Sequence, residues 1–189
     1  GELYMKKIMK IAGIIIAFLV TTVLVISIIS VNVKYHRYFD ITELDGKDKY
    51  TTEWGNVSID GARILSKKEM IGEYPDIESY IKSEDDSKGY VMVYVTFDVT
   101  DVEKYDAEWF KIWTIEADKI WSNGRDMIVN SVMNSNNKIT ENKEYQMYCV
   151  FGLTPQNIQL EKYDDVHNLD FRIMINHNPI IYYKLGRIK

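Results

Sequence analysis

The sequence predicts an all-β fold, an antiparallel β-sandwich, preceded by one N-terminal transmembrane helix, and three observations carry that prediction. Ile11 to Val33 contains no charged side chain, and at the helical rise of about 1.5 Å per residue it is long enough to cross a hydrocarbon core of about 30 Å. Beyond it, apolar and polar residues alternate over short runs, the period of a half-buried strand. Turn-like segments such as Ser122-Asn123-Gly124-Arg125 and Asn134-Ser135-Asn136-Asn137 separate those runs, which suits antiparallel sheets rather than βαβ units.

In chain order, residues 1–10 read as a short cytoplasmic tail, 11–33 as the membrane helix, 34–53 as a polar stalk and 54–189 as an extracellular β-sandwich domain. The apolar run outlasts the ~7 to 15 residues of a signal-peptide core, and Ile28-Ile29-Ser30 is a poor cleavage site, so a retained anchor is expected. Tyr4 at one edge and Tyr35, Tyr38 and Phe39 at the other suit aromatic belts at the two interfaces. Lys6, Lys7 and Lys10 precede the span, Lys34 and Arg37 follow it, and the tail is very short, so the N-terminus is expected inside and the domain outside. Gly13, Ala17, Thr21 and Thr22 form a weak small-residue stripe of the kind that packs helices together in a membrane complex.

The stalk is charged and nonperiodic, with Asp45-Gly46-Lys47-Asp48-Lys49 at its middle. Val57 to Leu65 alternates with one slip of phase at Asp60-Gly61, which predicts a strand with a bulge or tight turn. Ser66 to Lys82 is broken at Pro75 and has room for a short helix over Asp76 to Ile81, and Glu84 to Gly89 reads as a loop. The clearest strand is Tyr90 to Thr100, with Val91, Val93, Val95, Phe97 and Val99 on its core face. Further strands are expected over Trp109 to Ala117, Glu144 to Leu153, Leu169 to Ile175 and Ile180 to Ile188.

Charge and cysteine usage narrow the partners. The tail and span carry +2 (Glu2 against Lys6, Lys7 and Lys10), so a chain of net −5 leaves −7 for the rest. That balance argues against nucleic acid, anionic lipid or teichoic-acid-like polymers as electrostatic partners. Cys149 is the only cysteine, so no intrachain disulfide forms. An exported domain without bridges, rich in Ile, Lys, Asn and Tyr, fits the surface of a Gram-positive bacterium with an AT-rich genome. Cys149 alternates with Tyr145, Met147, Phe151 and Leu153 and is expected as a small buried hydrophobe.

Familiar catalytic patterns are absent from the sequence. There is no G-x-S-x-G elbow, P-loop or G-x-G-x-x-G. His36 falls in the stalk, and His167 and His177 flank a strand, so they do not share a helix face as paired zinc ligands do. Asp164-Asp165 and Glu84-Asp85-Asp86 lack the spacing of a calcium loop and read as solvated loop ends, open at most to weak calcium binding. No metal, cofactor or catalytic residue is therefore expected. Carboxylate pairs placed for glycoside hydrolysis stay open, because their spacing is three-dimensional.

Aromatic residues are plentiful, notably Trp54, Trp109, Trp113, Trp121, Tyr182 and Tyr183, and most are expected in the core. Trp121, Asn123 and Asp126, around the Asn-Gly turn, are the candidate binding residues.

The Met5-Lys6-Lys7 start with its apolar span, the Val91 to Thr100 strand, Trp121-Ser122-Asn123-Gly124, Asn168-Leu169-Asp170-Phe171 and Asn178-Pro179-Ile180-Ile181-Tyr182 together carry a resemblance. The chain resembles an uncharacterised family of small single-span membrane-anchored surface proteins of Firmicutes with an immunoglobulin-like β-sandwich domain. Where such domains place a Pro-Gly turn before the strand equivalent to Glu144 to Leu153, this chain has Ile139-Thr140-Glu141-Asn142-Lys143. The resemblance implies a fold and carries over no catalytic or binding residue. The expected function is a noncatalytic surface module that binds a protein, peptide or envelope component, an exported peptide being the specific version. The alternatives are an accessory subunit of a membrane complex and a cell-envelope enzyme.

Overall fold

Helix α1 (Glu2–Tyr35) belongs to a computed structural model that describes residues 1–35, 41–81, 89–118, 121–154 and 163–189. The chain divides into two compact units, Gly1–Asp40 and Ile41–Lys189. Within α1, the stretch Ile11–Val31 is long and apolar enough to cross a membrane, and 0% of it is buried. The hydroxyls of Thr21 and Thr22 donate to the carbonyls of Ala17 and Phe18, one turn back, each at 2.9 Å. Both polar groups are thereby satisfied inside the helix, as a hydrocarbon environment requires. Tyr38, Phe39, His36 and Arg37 lie outside the described residues.

The second unit is built on two sheets. The first runs in the order β1 (Ile41–Leu44), β9 (Ile180–Arg187), β8 (Asp170–His177), β5 (Thr114–Ala117), β6 (Trp121–Gly124). The second runs β2 (Tyr50–Thr51), β3 (Gly55–Ser66), β4 (Gly89–Val99), β7 (Glu144–Leu153). Every described pairing is antiparallel except β1 with β9. Strong alternation placed β4, β7, β8 and β9 where the sequence expects them. The register of β3 against β4 shifts between Ile59 and Gly61, the bulge that the phase slip at Asp60-Gly61 predicts.

A layer of helix corrects the all-β expectation, because α2 (Lys67–Glu73), α3 (Ala107–Lys111) and α4 (Met127–Met133) all lie in this unit. The outer face of the β3–β4–β7 sheet is apolar and needs a cover. Leu65, Met70, Ile77, Ile81, Tyr90, Met92, Val129 and Val150 form a second core there, drawn from the sheet, α2, α4 and the segment 75–81. Each helix begins at a side-chain cap. Ser66 and Glu69 form a reciprocal capping box at α2, and Asp106 and Asp126 cap α3 and α4. The short helix expected over Asp76 to Ile81 is a single 3₁₀ turn, Pro75–Ile77.

Four further expectations change. Trp109 sits on α3, not on a strand; residues four apart share a side of both a helix and a strand, so the Trp109/Trp113 spacing fits either. Those two rings meet edge-on at 5.0 Å. Ser122-Asn123-Gly124 is not a hairpin turn but most of β6, with Ile115 opposite Asn123, and the chain leaves β5 through Asp118 at φ 47°. Asn134-Ser135-Asn136-Asn137 follows α4, with Asn134 as its C-cap. The segment read as a stalk also contributes β1 and β2. Both are short edge strands, too short to carry an apolar periodicity that can be read.

Between the sheets lies the main core, which includes Val57, Ile59, Val93, Val95, Phe97, Ile115, Phe171, Ile173 and Tyr183. Trp113 and Phe110 close its α3 end, with ring centroids 4.9 Å apart and planes at 90°. Cys149 is buried here, and burial pushes its thiol up to about 12 from 9.0. Two results follow. Thiol reagents are expected to leave Cys149 untouched at neutral pH and to label it only after denaturation. Because the unfolded thiol ionises first, its contribution to stability is present below about pH 9 and is lost as pH rises towards 12, which alkaline melting curves of a Cys149→Ala variant would isolate.

Candidate functional site

Strand β7 pairs with β4 on one side, and among the described residues no strand pairs with its other side. An open row of backbone donors and acceptors would result there. Asparagine side chains fill it instead. Asn130 Nδ2 donates to the Val150 carbonyl at 2.8 Å while Val150 N donates to Asn130 Oδ1 at 3.0 Å. Asn134 repeats the exchange with Tyr148 at 2.9 and 2.8 Å. Asn137 Nδ2 donates to the Gln146 carbonyl and Asn123 Nδ2 to that of Gly152, both at 2.7 Å.

The spacing has a geometric cause. Four helical residues advance about 6.0 Å and two strand residues about 6.8 Å, so asparagines one turn apart on α4 match alternate residues of β7. The helix runs antiparallel to the strand, Asn130 meeting Val150 and Asn134 meeting Tyr148. Side-chain amides there imitate a neighbouring strand.

Asn130 also holds Arg125. Its Oδ1 accepts from Arg125 Nε at 3.3 Å, and Arg125 Nη1 donates to the Phe110 carbonyl at 2.6 Å. The guanidinium lies 3.7 Å from the centre of the Phe110 ring. A guanidinium has five N–H donors, so these two bonds leave three without a partner among the described residues. No described carboxylate pairs with Arg125, although it is half-buried, and that burial pushes its pKa below the ordinary arginine value. Removing a cation from water without a counter-ion costs several kcal/mol, roughly.

Arg125 lines a groove of about 630 Å³ between α3, α4 and the segment 134–139. Its cationic lining residues are Lys111, Arg125 and Lys138, and no aspartate or glutamate is among the described residues that line it. Lys111 is paired with Glu108; Lys138 makes no ion pair among the described residues. Tyr105, Phe110, Met127, Ile139 and Met147 supply the apolar part. A volume of this size falls in the roughly 300 to 1,000 Å³ range of small-ligand sites.

The three residues singled out from the sequence are not among those that line this groove. Trp121 is 3% exposed and packs edge-on against Phe171 at 6.3 Å, which is the core role. Asn123 completes the asparagine row, and the Asp126 carboxylate caps α4 by accepting from Ile128 N and Val129 N. Arg125, between them in sequence, was missed. The available signal was the repeat Asn130, Asn134, Asn137, spaced at helical intervals, with an arginine just ahead of the helix cap.

The two described histidines and the charges on the outer sheet face are already occupied. His167 Nδ1 donates to the Ile188 carbonyl at 3.1 Å and His177 Nε2 to that of Ile112 at 3.0 Å, near opposite ends of β8. On the outer face of the five-stranded sheet, Arg172 donates twice to Glu116 Oε2, at 2.9 and 2.7 Å, and stacks 3.9 Å above the Tyr182 ring. Tyr182 Oη donates to Glu116 Oε1 at 2.9 Å, and Lys184 pairs with Glu43 at 2.9 Å. These charges answer one another, which Arg125 lacks. Among the described residues, no three His, Cys, Asp or Glu side chains come together as a metal site. Glu84-Asp85-Asp86 and the Asp164 side chain lie outside the described residues.

Searches against family models, curated proteins and solved structures returned no match to this chain.

Proposed function

We propose that the chain is a membrane-anchored, noncatalytic binding module of a Gram-positive cell surface, with its N-terminus inside and its domain outside. Residues 11–33 would be held by the membrane, and the domain would take a protein, peptide or envelope component. The observation that carries the binding function is Arg125: a half-buried guanidinium without a carboxylate partner among the described residues, opening on a groove of ligand size. His167 and His177 spent on backbone carbonyls, and Cys149 sealed in the core, support a noncatalytic role.

The connectivity supports the immunoglobulin-like reading of the domain. The chain crosses from β4 to β5 in the other sheet, forms the adjacent pair β5–β6, returns to β7, crosses again to β8 and ends in the adjacent pair β8–β9. Greek-key crossings of this kind relate the two sheets of such sandwiches.

Sidedness is the first test. Intact cells expressing the chain with a tag after Lys189 are treated with protease, then lysed and treated again. Loss of the tag from intact cells is expected. Protection until lysis places the domain inside and overturns the surface reading.

A further inference from the structure

We propose that the Arg125 groove captures the free C-terminus of an apolar peptide, the guanidinium pairing with its carboxylate. The inference rests on the surface-module reading and names the ligand class. A planar guanidinium with unused N–H groups matches a carboxylate, and a charged hydrogen bond of this kind is about twice as strong as a neutral one. Charge complementarity selects an anion: Lys111, Arg125 and Lys138 line the groove without a described carboxylate, in a region that carries −7 from residue 34 onward.

The rest of the lining distinguishes a peptide from a simple ion. Met127, Ile139 and Met147 offer apolar contact to side chains. The hydroxyls of Ser131 and Ser135 lie one helical turn apart on the groove and have no hydrogen-bond partner among the described residues. They suit the amide groups that follow a terminal carboxylate. Phe110 behind the guanidinium and Asn130 beside it fix its plane before any ligand arrives, which lowers the ordering cost of binding.

The test titrates the purified full-length chain in detergent micelles by calorimetry with four compounds: N-acetyl-Ala-Leu-Leu with a free carboxylate, the same peptide amidated, hexanoate, and inorganic phosphate. Saturable binding of the free-carboxylate peptide is expected, with the amide at least ~10-fold weaker, since a charged hydrogen bond is lost. Hexanoate and phosphate are expected to bind more weakly than the free-carboxylate peptide. Arg125→Gln should abolish the preference for the free carboxylate. Lys138→Gln, at an exposed rim without structural contacts, should weaken binding several-fold with an unchanged melting temperature, and this decides the matter should the Arg125 variant unfold. Equal binding of peptide and amide, tighter binding of phosphate or hexanoate, or no binding overturns the proposal. The protease result on intact cells is read independently of ligand, so failure of this assignment leaves the surface reading intact, and failure of sidedness is seen without any ligand.

Discussion

Asn130→Ala is expected to destabilise the domain by about 3 kcal/mol, a drop of roughly 10 °C in melting temperature. Asn130 is 2% exposed and serves four groups: Val150 N and O, the Asp126 carbonyl and Arg125 Nε. Alanine leaves Val150 N–H buried without an acceptor, and each such orphan costs about 1–3 kcal/mol. The Val150 carbonyl loses less, because Asp126 N still donates to it at 2.9 Å. Arg125 loses its positioning contact in the same step. A variant lacking Asn130, Asn134 and Asn137 together should also expose the edge of β7 and associate as concentration rises, which size-exclusion chromatography in detergent would detect. A melting temperature within a degree of the parent would mean that water replaces the side chain and that the row of asparagines is incidental.

Gly55→Ala is expected to cost about 3 kcal/mol or more, measured by denaturant unfolding of the full chain. Gly55 has φ 153°, and a Cβ there would run into the backbone carbonyl of Asp98 on the paired strand. That carbonyl cannot yield easily. Strand β4 is held on both sides, by β3 and β7, and the neighbouring Thr100 N and Asp101 N both donate to the Trp54 carbonyl. Gly61 is the control: its φ is 155°, yet nothing lies within 4 Å of an added Cβ. Gly61→Ala should therefore cost only the backbone strain, about 1 kcal/mol. Equal losses at the two sites would show that strain, not the clash at Asp98, governs Gly55.

Legibility of the fold followed the strength of periodicity. β4 and β7 were readable because Val91, Val93, Val95 and Phe97, and then Tyr145, Met147, Cys149 and Phe151, alternate over many residues. Helix α2 begins at a capping box, Ser66-Lys67-Lys68-Glu69 before Met70, whereas the sequence reading places its short helix beyond Pro75, over Asp76 to Ile81. β1 and β2 carried no pattern, since their place depends on partners far along the chain, such as Ile180 opposite Ile41. The candidate site was barely legible. Asn123 and Asp126 stand out in the sequence through an Asn-Gly turn that is in fact part of β6, and the cap that Asp126 forms depends on a helix the sequence reading did not place. The importance of Arg125 lies in what is missing around it, and a one-dimensional string does not record missing neighbours.

The sequence by itself determined the apolar helix, the long antiparallel strands, the bulge at Asp60-Gly61 and the burial of Cys149. All four are local properties: hydropathy summed along a stretch, or alternation with a fixed period. Tertiary structure alone decided that a helical layer covers the second sheet and that asparagines on α4 close the edge of β7. It also decided that a chain of net negative charge holds a cationic groove around Arg125. Net charge is a sum over residues, while recognition depends on which few of them converge, and convergence is set by strand order and helix placement rather than by composition.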